Sequence, residues 1–145
     1  TAGPKDGSGA AAAIQAALDM ANLTTDAIDH INAHATSTPV GDRAEIASLR
    51  NVFGERLPAI PISATKAATG HLLGAAGGIE SIFSVLAVNT QTLPPTINLE
   101  QCDDDMQDLT FVTATGQKHT TQHVLCNGFG FGGVNAALIV SSMER

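Results

Sequence analysis

Three stretches of the chain repeat their apolar residues every three or four positions, the spacing that places them on one face of a helix. The first stretch follows Ser8, a residue type that caps helices, and the second runs from near Asp42 to Phe53. The third has the most regular repeat, formed by Ile79, Ile82, Phe83 and Leu86. The pattern therefore predicts three helices, of which the third packs an apolar stripe.

Short apolar runs between turn residues predict strands among and after these helices. They lie at residues 29–33, 60–63, 109–113, 123–127 and 134–141. Strands that alternate with helices and end in a strand pair are typical of an α/β layered domain. The six residues between the last two strands are too few for a parallel crossover, so this pair is expected to be antiparallel.

Composition and charge exclude several classes of function. The 145-residue chain has a formal net charge of −7, and its seven Lys and Arg are scattered singly, which argues against a nucleic-acid partner. No stretch approaches the ~20 uncharged apolar residues that cross a bilayer, so no membrane span is expected. Cys102 and Cys126 form no CxxC pair, which favours a reducing compartment. The start at Thr1 lacks an initiator Met, and we expect the chain to be part of a longer protein.

Three loops at predicted strand ends carry most of the polar chemistry, at residues 32–39, 63–78 and 127–133. In open α/β sheets, ligands usually bind at the loops beyond the strand ends. Taken singly, each loop has an ordinary explanation. A histidine beside a strand is often a hydrogen-bonded structural residue, a lone lysine usually lies in solvent, and glycines mark turns.

Other functions fit these loops less well. His30 and His34 are four positions apart, but on a strand that spacing separates them by about 13 Å, too far for one zinc ion. His119 and His123 have the same spacing across a turn-like sequence, so a zinc site there is disfavoured but left open. The glycine-rich run at residues 70–78 could meet an anion, yet it matches neither GxGxxG nor GxxxxGKS/T. The GxSxG motif of serine hydrolases is absent from the sequence.

Four motifs in register resemble the second half of the β-ketoacyl-(acyl carrier protein) synthases that elongate fatty acids. In chain order they read NAHATSTPVGD, SATKAATGHLLGAAGG, PPTINL and NGFGFGGVNAAL. The resemblance implies a thiolase-like layered αβαβα fold, in which residues 1–145 are the C-terminal βαβαβαββ-type half. It also implies a nucleophilic cysteine in an N-terminal half outside this chain, so neither Cys102 nor Cys126 is expected to form the acyl-enzyme. The sequence departs from the family at Ala35, where many members have glycine, and at Cys126 and Gly128, where serine-type residues are common.

In the family that these motifs resemble, malonyl-(acyl carrier protein) is decarboxylated and the carbanion attacks an acyl thioester on the cysteine. By motif position, His34 and His71 would donate hydrogen bonds to the malonyl thioester oxygen. Lys66 would tune their charge and orientation. Phe131 would be the gating phenylalanine, with its backbone N–H in an oxyanion hole, and the glycines around it would leave it free to move.

The resemblance also implies a network that supports the histidines. Glu80 would pair with Lys66 and would help to hold a structural water or monovalent cation near Asn32 and Asn127, and no other cofactor is expected. The other residues assigned to the network are Asp42, Glu45, Thr36, Thr38, Gly130 and Gly132.

The expected activity is a decarboxylative Claisen condensation that gives 3-oxoacyl-(acyl carrier protein), with the isolated chain inactive because it lacks the acyl-accepting cysteine. Expected partners are acyl carrier protein, the N-terminal half and a second copy in a homodimer. Acyl carrier protein is acidic, so its basic docking patch is expected mainly outside this chain. The bacterial cytoplasm and the mitochondrial or plastid matrix are the expected locations. A polyketide ketosynthase, a chain-length partner and a non-catalytic assembly half remain alternatives.

Overall fold

The computed structural model describes residues 7–113 and 115–143, except for the side chain of Phe131. In this part of the chain the helices are α1 (Ser8–Ala21), α2 (Pro39–Phe53), α3 (Lys66–Thr69) and α4 (Ala76–Thr90). The strands are β1 (His30–Asn32), β2 (Ile62–Ser63), β3 (Thr92–Leu93), β4 (Gln117–Lys118), β5 (His123–Phe129) and β6 (Asn135–Ser141).

A mixed sheet in the order β2-β1-β5-β6 lies at the centre of the fold. β1 runs parallel to both β2 and β5, whereas β5 and β6 pair antiparallel along their whole length, which confirms the prediction from their short connection. The strand predicted at residues 109–113 is reduced to isolated bridges to Ile62 and Thr96. Because β2 has only two residues, it offers a neighbour very little backbone to pair with. The β3–β4 hairpin, which the sequence pattern did not predict, forms a separate two-stranded sheet.

The residue that caps α1 is Gly7 rather than the serine expected from the sequence. The helix starts at Ser8, and Gly7 has a φ of 70° with no side-chain cap. A Cβ on Gly7 would lie 2.6 Å from the carbonyl oxygen of Ala44 on α2, so the packing of α1 against α2 needs the smallest residue here. The prediction of Ser8 as the cap is therefore wrong, because the close approach of the two helices decides where α1 begins.

α4 packs against β5 and β6 through small and polar side chains. The buried residues of this helix are Ala76, Glu80, Ser84 and Ala87. Ile82 is 59% exposed and Leu86 is 47% exposed, so the prediction that they belong to a packed stripe is wrong. Small side chains let the helix approach the sheet closely, and the larger apolar side chains then face away from it.

The segment Leu73–Thr90 is apolar enough to cross a membrane by length and composition alone, with 18 residues and a mean hydropathy of 1.3. The expectation that no stretch approaches this criterion is therefore wrong. In the structure, however, the segment contains buried Glu80, which pairs with Lys66, and its helix packs on the sheet. A buried ion pair and a sheet contact are features of a core helix.

The main core lies between the sheet and the helices α1 and α2. Fully buried side chains in it include Ile14, Leu18, Ile31, Leu49 and Leu125. Burying each such side chain contributes about 1.5–3 kcal/mol. A smaller cluster under α4 consists of Ala87, Leu93, Val112 and Val124. The adjacent residues Val124 and Leu125 belong to different clusters, as the alternation of side chains along a strand requires, so helices cover both faces of the sheet.

The side chain of His30 is fully buried in β1 and has one hydrogen-bond partner in the described chain. Its Nε2 lies 2.8 Å from Ser63 Oγ, and that hydroxyl donates to the carbonyl oxygen of Pro94 at 2.6 Å. Nε2 therefore carries the proton, and Nδ1 is an acceptor without a partner among the described residues. Burial, with a smaller effect from the charge of His119, lowers the pKa of His30 from its ordinary 6.5 to about 3.

We expect His30 to make the fold sensitive to acid. Between its ordinary pKa of 6.5 and its folded pKa of about 3, the unfolded chain binds a proton that the folded chain does not, so the free energy of unfolding falls as the pH drops. The loss is about 1.4 kcal/mol per pH unit, or about 2 kcal/mol by pH ~5. Urea unfolding of wild type and of His30→Gln near neutral pH and near pH ~5 measures it. Between the two pH values, the free energy of unfolding should fall more in wild type than in His30→Gln. An equal fall would contradict the role of His30 in the acid sensitivity.

Candidate active site

The loop that follows β1 is held by a carboxylate of α2. The backbone N–H groups of His34 and Ala35 donate to Glu45 Oε1 and Oε2 at 2.9 and 2.8 Å. Glu45 is buried, which raises its pKa, while these hydrogen bonds and one from Asn127 act in the opposite direction. Glu45 thereby fixes the backbone from which the His34 side chain projects.

The same loop is tied to the first turn of α2. The N–H of Thr36 donates to Asp42 Oδ1 at 3.1 Å, and the hydroxyls of Thr36 and Thr38 lie 3.1 Å apart. Thr38 also caps α2 by accepting from the N–H of Gly41 at 3.3 Å, so α2 begins at its Pro39 rather than near Asp42. These hydrogen bonds hold the shape of the loop that carries His34.

Two residues with side chains adopt left-handed backbone conformations in this loop. Ala35 has a φ of 26° and Ser37 a φ of 60°. Such conformations cost roughly 1–3 kcal/mol each in residues other than glycine and persist where their surroundings hold them. The bond from the Ala35 N–H to Glu45 provides that restraint, which explains how alanine is accommodated where many members of the resembled family have glycine.

The second histidine, His71, is positioned by a turn after α3. Gly70, which precedes it, has φ 73° and ψ 179°, a region open essentially to glycine alone. The N–H of Leu73 donates to His71 Nδ1 at 3.1 Å. Because Nδ1 is the acceptor, the neutral ring carries its proton on Nε2. His71 thus presents an N–H donor to the outside of the turn.

The two imidazoles meet although they are 37 positions apart in the sequence. Their ring centroids are 5.6 Å apart, with an angle of 85° between the ring planes. Burial, followed by the positive charges of Lys66 and His71, lowers the pKa of His34 from 6.5 to about 4. His34 is therefore a neutral imidazole at neutral pH.

Lys66 and Glu80 form a buried ion pair beside the histidines. Lys66 is 7% exposed and Glu80 is 1% exposed, and Nζ donates to Glu80 Oε1. Burial raises the pKa of Glu80, and the bond to the ammonium acts in the opposite direction. The second carboxylate oxygen, Oε2, is buried without a hydrogen-bond partner in the described chain.

Two asparagines extend this polar cluster. Asn32 donates to the carbonyl oxygen of Glu80 at 3.1 Å, and its own Oδ1 accepts from the hydroxyl of Thr65 at 3.4 Å. Asn127 donates to Glu45 Oε1 at 3.0 Å, and its Oδ1 is buried without a partner among the residues described. Two enclosed oxygens, Asn127 Oδ1 beside Glu45 and Glu80 Oε2 beside Lys66, can therefore still accept a hydrogen bond or bind a cation.

The end of β5 and the glycine-rich loop after it bring an aromatic ring to His34. The ring of Phe129 lies 6.0 Å from that of His34, at an angle of 58°. Gly132 has a φ of 76° and needs the freedom of glycine, whereas Gly130 has a negative φ of −101°. Gly130 matters instead for close packing, because a Cβ there would lie 3.3 Å from the carbonyl oxygen of Val134. The sequence predicts a gating role for Phe131, whose side chain lies outside the described structure.

The two cysteines differ in environment. Cys126 is buried in β5, and burial raises the pKa of its thiol, so it is protonated at neutral pH. Cys102 is half-buried in the acidic loop, where Asp103 pairs with Arg43. Among the described residues, neither cysteine forms a hydrogen bond with His34 or His71.

Comparison with known proteins identifies the family. A family model described as "Beta-ketoacyl synthase, C-terminal domain" matches residues 1–100. The chain belongs to this family. It is similar to the 3-oxoacyl-(acyl-carrier-protein) synthase 2 of Vibrio harveyi, with 44% identity over 146 residues, and to the mitochondrial 3-oxoacyl-(acyl-carrier-protein) synthase of Arabidopsis thaliana, with 42% identity over 142 residues. These matches cover 100% and 97% of the chain but 35% and 31% of the relatives, so the chain spans about a third of their length.

Solved ketosynthases have the same fold. One is a ketosynthase in complex with its type II polyketide synthase acyl-carrier protein and bound to the hexaketide. It superposes with a TM-score of 0.92 at 33% identity, over 97% of this chain and 34% of that chain. The thiolase-like α/β fold predicted from the motifs is confirmed.

The ketosynthase motifs predicted most of the side chains that the structure brings together. His34, His71, Lys66 and Glu80 form one cluster, and their catalytic roles stay predictions. Phe129 packs against the main core and also contacts His34. Nothing in the sequence pattern distinguishes this phenylalanine from a core residue.

We expect the Glu45 carboxylate to stabilise the ketosynthase fold and the histidine loop together. Glu45→Ala leaves one buried and two part-buried donors without their acceptor and should lower the free energy of unfolding by on the order of 3 kcal/mol. Glu45→Gln keeps one carbonyl acceptor and should cost less. Denaturant unfolding measures the loss, and faster hydrogen exchange at the amides of His34 and Ala35 locates it. Glu55→Ala removes an exposed carboxylate as a control, and an equal loss there would contradict the role of Glu45.

Proposed function

We propose that this chain supplies the decarboxylation site of a 3-oxoacyl-(acyl carrier protein) synthase. The observation that carries the proposal is the pair of imidazoles, His34 and His71, whose ring centroids lie 5.6 Å apart beside a buried lysine. Two N–H donors at this separation can reach one oxygen between them. The names of the curated relatives support the same reaction.

The two histidines act on the malonyl thioester carbonyl. His71 donates from Nε2, because its Nδ1 is occupied by the Leu73 N–H. His34 also donates from Nε2, since its Nδ1 is enclosed by the protein. As the bond to the carboxylate breaks, carbon dioxide leaves and the electron pair moves into an enolate whose charge builds on the oxygen held by both donors. The enolate carbon then attacks the acyl thioester, and the cysteine sulfur departs as thiolate.

Lys66 and Glu80 set the electrostatics of this step. The ammonium group helps to keep His34 neutral, and the neutral ring has one N–H donor, which Nε2 can direct at the thioester oxygen. Pairing with Glu80 makes the buried ammonium tolerable, because an unpaired buried charge is strongly destabilising. Lys66 is in this account an electrostatic residue rather than a nucleophile.

The proposal includes a monovalent cation near Asn32, Glu80 and Asn127. Asn127 Oδ1 and Glu80 Oε2 are enclosed oxygens without partners in the described chain, and oxygen ligands suit hard cations. These two oxygens, with Asn32 nearby, would hold the ion. Its positive charge would hold the Glu80 carboxylate in place, and that carboxylate would in turn hold the Lys66 ammonium group.

The complete reaction also needs groups that the described histidine site does not contain. The nucleophilic cysteine comes from an N-terminal half, so residues 1–145 alone do not condense substrates. Acyl carrier protein docks mainly elsewhere, because the described Arg43, Arg50 and Arg56 pair with aspartates and Lys66 is buried. The exposed Lys118 is a single charge and does not form a basic patch. The Phe131 gate and the homodimer complete the enzyme. The bacterial and mitochondrial relatives favour the bacterial cytoplasm or an organelle matrix.

A polyketide ketosynthase is the second candidate. The observation that favours it is the TM-score of 0.92 to the polyketide ketosynthase complex. The decarboxylation chemistry is the same in both, so the two candidates differ in the acyl chain accepted. The higher identity to the curated fatty-acid relatives makes fatty acid elongation the first choice.

We expect each histidine to be needed for decarboxylation. His34→Ala and His71→Ala should each lower the rate of carbon dioxide release from malonyl-(acyl carrier protein) by about 10²–10³-fold in the complete enzyme, because each removes one donor from the developing oxyanion. His123→Ala is the control, since this residue bonds Ser141 at the far end of β5, and it should leave the rate unchanged. A wild-type rate in the double variant of His34 and His71 would refute the proposed function.

The cation site is expected to stabilise the fold in an ion-specific way. Replacing choline by potassium or sodium at constant ionic strength should raise the melting temperature of the protein by a few degrees. Asn127→Ala removes one ligand and should abolish that difference. Asn89→Ala, an exposed change on α4, should keep it. A melting temperature that is independent of the cation would rule the site out.

A further inference from the structure

The two histidines are oriented by different means. His71 has a hydrogen bond to its Nδ1 from the Leu73 N–H at 3.1 Å, which fixes both its ring and its tautomer. His34 has no such bond, because its Nδ1 is buried and unpartnered in the described chain. The terminal torsion of a histidine is broad, so a ring without a hydrogen bond needs packing to define its orientation.

Phe129 provides that packing on one side of the His34 ring. The phenyl and imidazole centroids lie 6.0 Å apart at an angle of 58°, within the range of favourable tilted aromatic pairs. His71 contacts the same imidazole edge-on, at 5.6 Å and 85°. Two rings therefore limit the orientation of the His34 imidazole. One is His71, which has a role in the proposed reaction, and the other is Phe129, which has no reactive group.

Phe129 is itself well anchored. It is the last residue of β5 and pairs with Asn135 of β6, so its backbone is held by the sheet. Its side chain packs against the main core that lies between the sheet and α1 and α2. A ring held at both its backbone and its side chain can act as a fixed wall for a neighbour.

We propose that Phe129 is a positioning residue, whose ring fixes the imidazole of His34 in the orientation that directs Nε2 at the malonyl thioester oxygen. This inference rests on the proposed function of the two histidines. Phe129 acts through His34 and does not touch the reacting atoms. The second histidine needs no such wall, because its own backbone turn supplies a hydrogen bond.

The expected effect follows from the geometry of transition-state donors. A displacement of about 1 Å in a catalytic group can cost ~10²-fold in rate. Phe129→Ala should therefore lower kcat for malonyl decarboxylation by about 10- to 100-fold. KM should change by less than about 2-fold, because a loss confined to the transition state leaves substrate binding unaltered.

The test compares Phe129→Ala and Phe129→Leu with Phe111→Ala in the complete enzyme. Phe111 is also a half-buried phenylalanine packed on the main core, and no ring contact with His34 is described for it. We expect kcat to fall most in Phe129→Ala, less in Phe129→Leu, and to stay near wild type in Phe111→Ala. The NMR shifts of the His34 ring protons, recorded without substrate at constant pH, should move in Phe129→Ala and not in Phe111→Ala.

A wild-type kcat in Phe129→Ala, or an equal loss of kcat in Phe111→Ala, would overturn the inference. Unchanged His34 ring shifts in Phe129→Ala would do the same. If Phe129→Ala does not fold, Phe129→Leu decides, with a smaller loss of kcat in favour and a wild-type kcat against. Absence of decarboxylation in the wild-type enzyme would instead refute the proposed function, while the ring shifts would still test the packing.

Discussion

The parallel pairing of β1 with both β2 and β5 is the constraint on which the site depends. Parallel strands end at the same edge of a sheet, so the loops that follow them begin as neighbours. Asn32 is in register with Ser63 on one side and with Cys126 on the other. His34 and Lys66 follow these ends within three residues, and this placement explains how separated motifs form one cluster.

A second constraint is the placement of charge inside the fold. Glu45 is buried where it accepts from two loop N–H groups, and Glu80 is buried where it accepts from Lys66. Each carboxylate is tolerated because it has partners, three donors for Glu45 and the Lys66 ammonium group for Glu80, since a buried charge without partners is strongly destabilising. The same burial, with the nearby ammonium, keeps His34 neutral. The interactions that stabilise the loops therefore also set the protonation state that the proposed reaction needs.

The sequence predicts the layered fold and the three polar loops well, because strand and helix periodicities and strand-end loops are local signals. It predicts the meeting of His34 and His71 only through resemblance to a family, since no local pattern encodes a contact across 37 positions. Two of the wrong predictions have a common cause. Gly7 replaces Ser8 as a cap, and small residues replace the apolar stripe of α4 at the sheet, because close packing of neighbouring elements overrides local preference. The contact of Phe129 with His34 is of the same tertiary kind.

The most direct test of the account is a crystal structure of the complete enzyme with a malonyl thioester analogue that cannot decarboxylate. The central claim is that two imidazoles share one oxygen. It predicts that Nε2 of His34 and Nε2 of His71 both lie about 2.7–3.2 Å from the thioester carbonyl oxygen. An analogue bound with that oxygen on one histidine alone, or held by Lys66 with the imidazoles turned away, would contradict it.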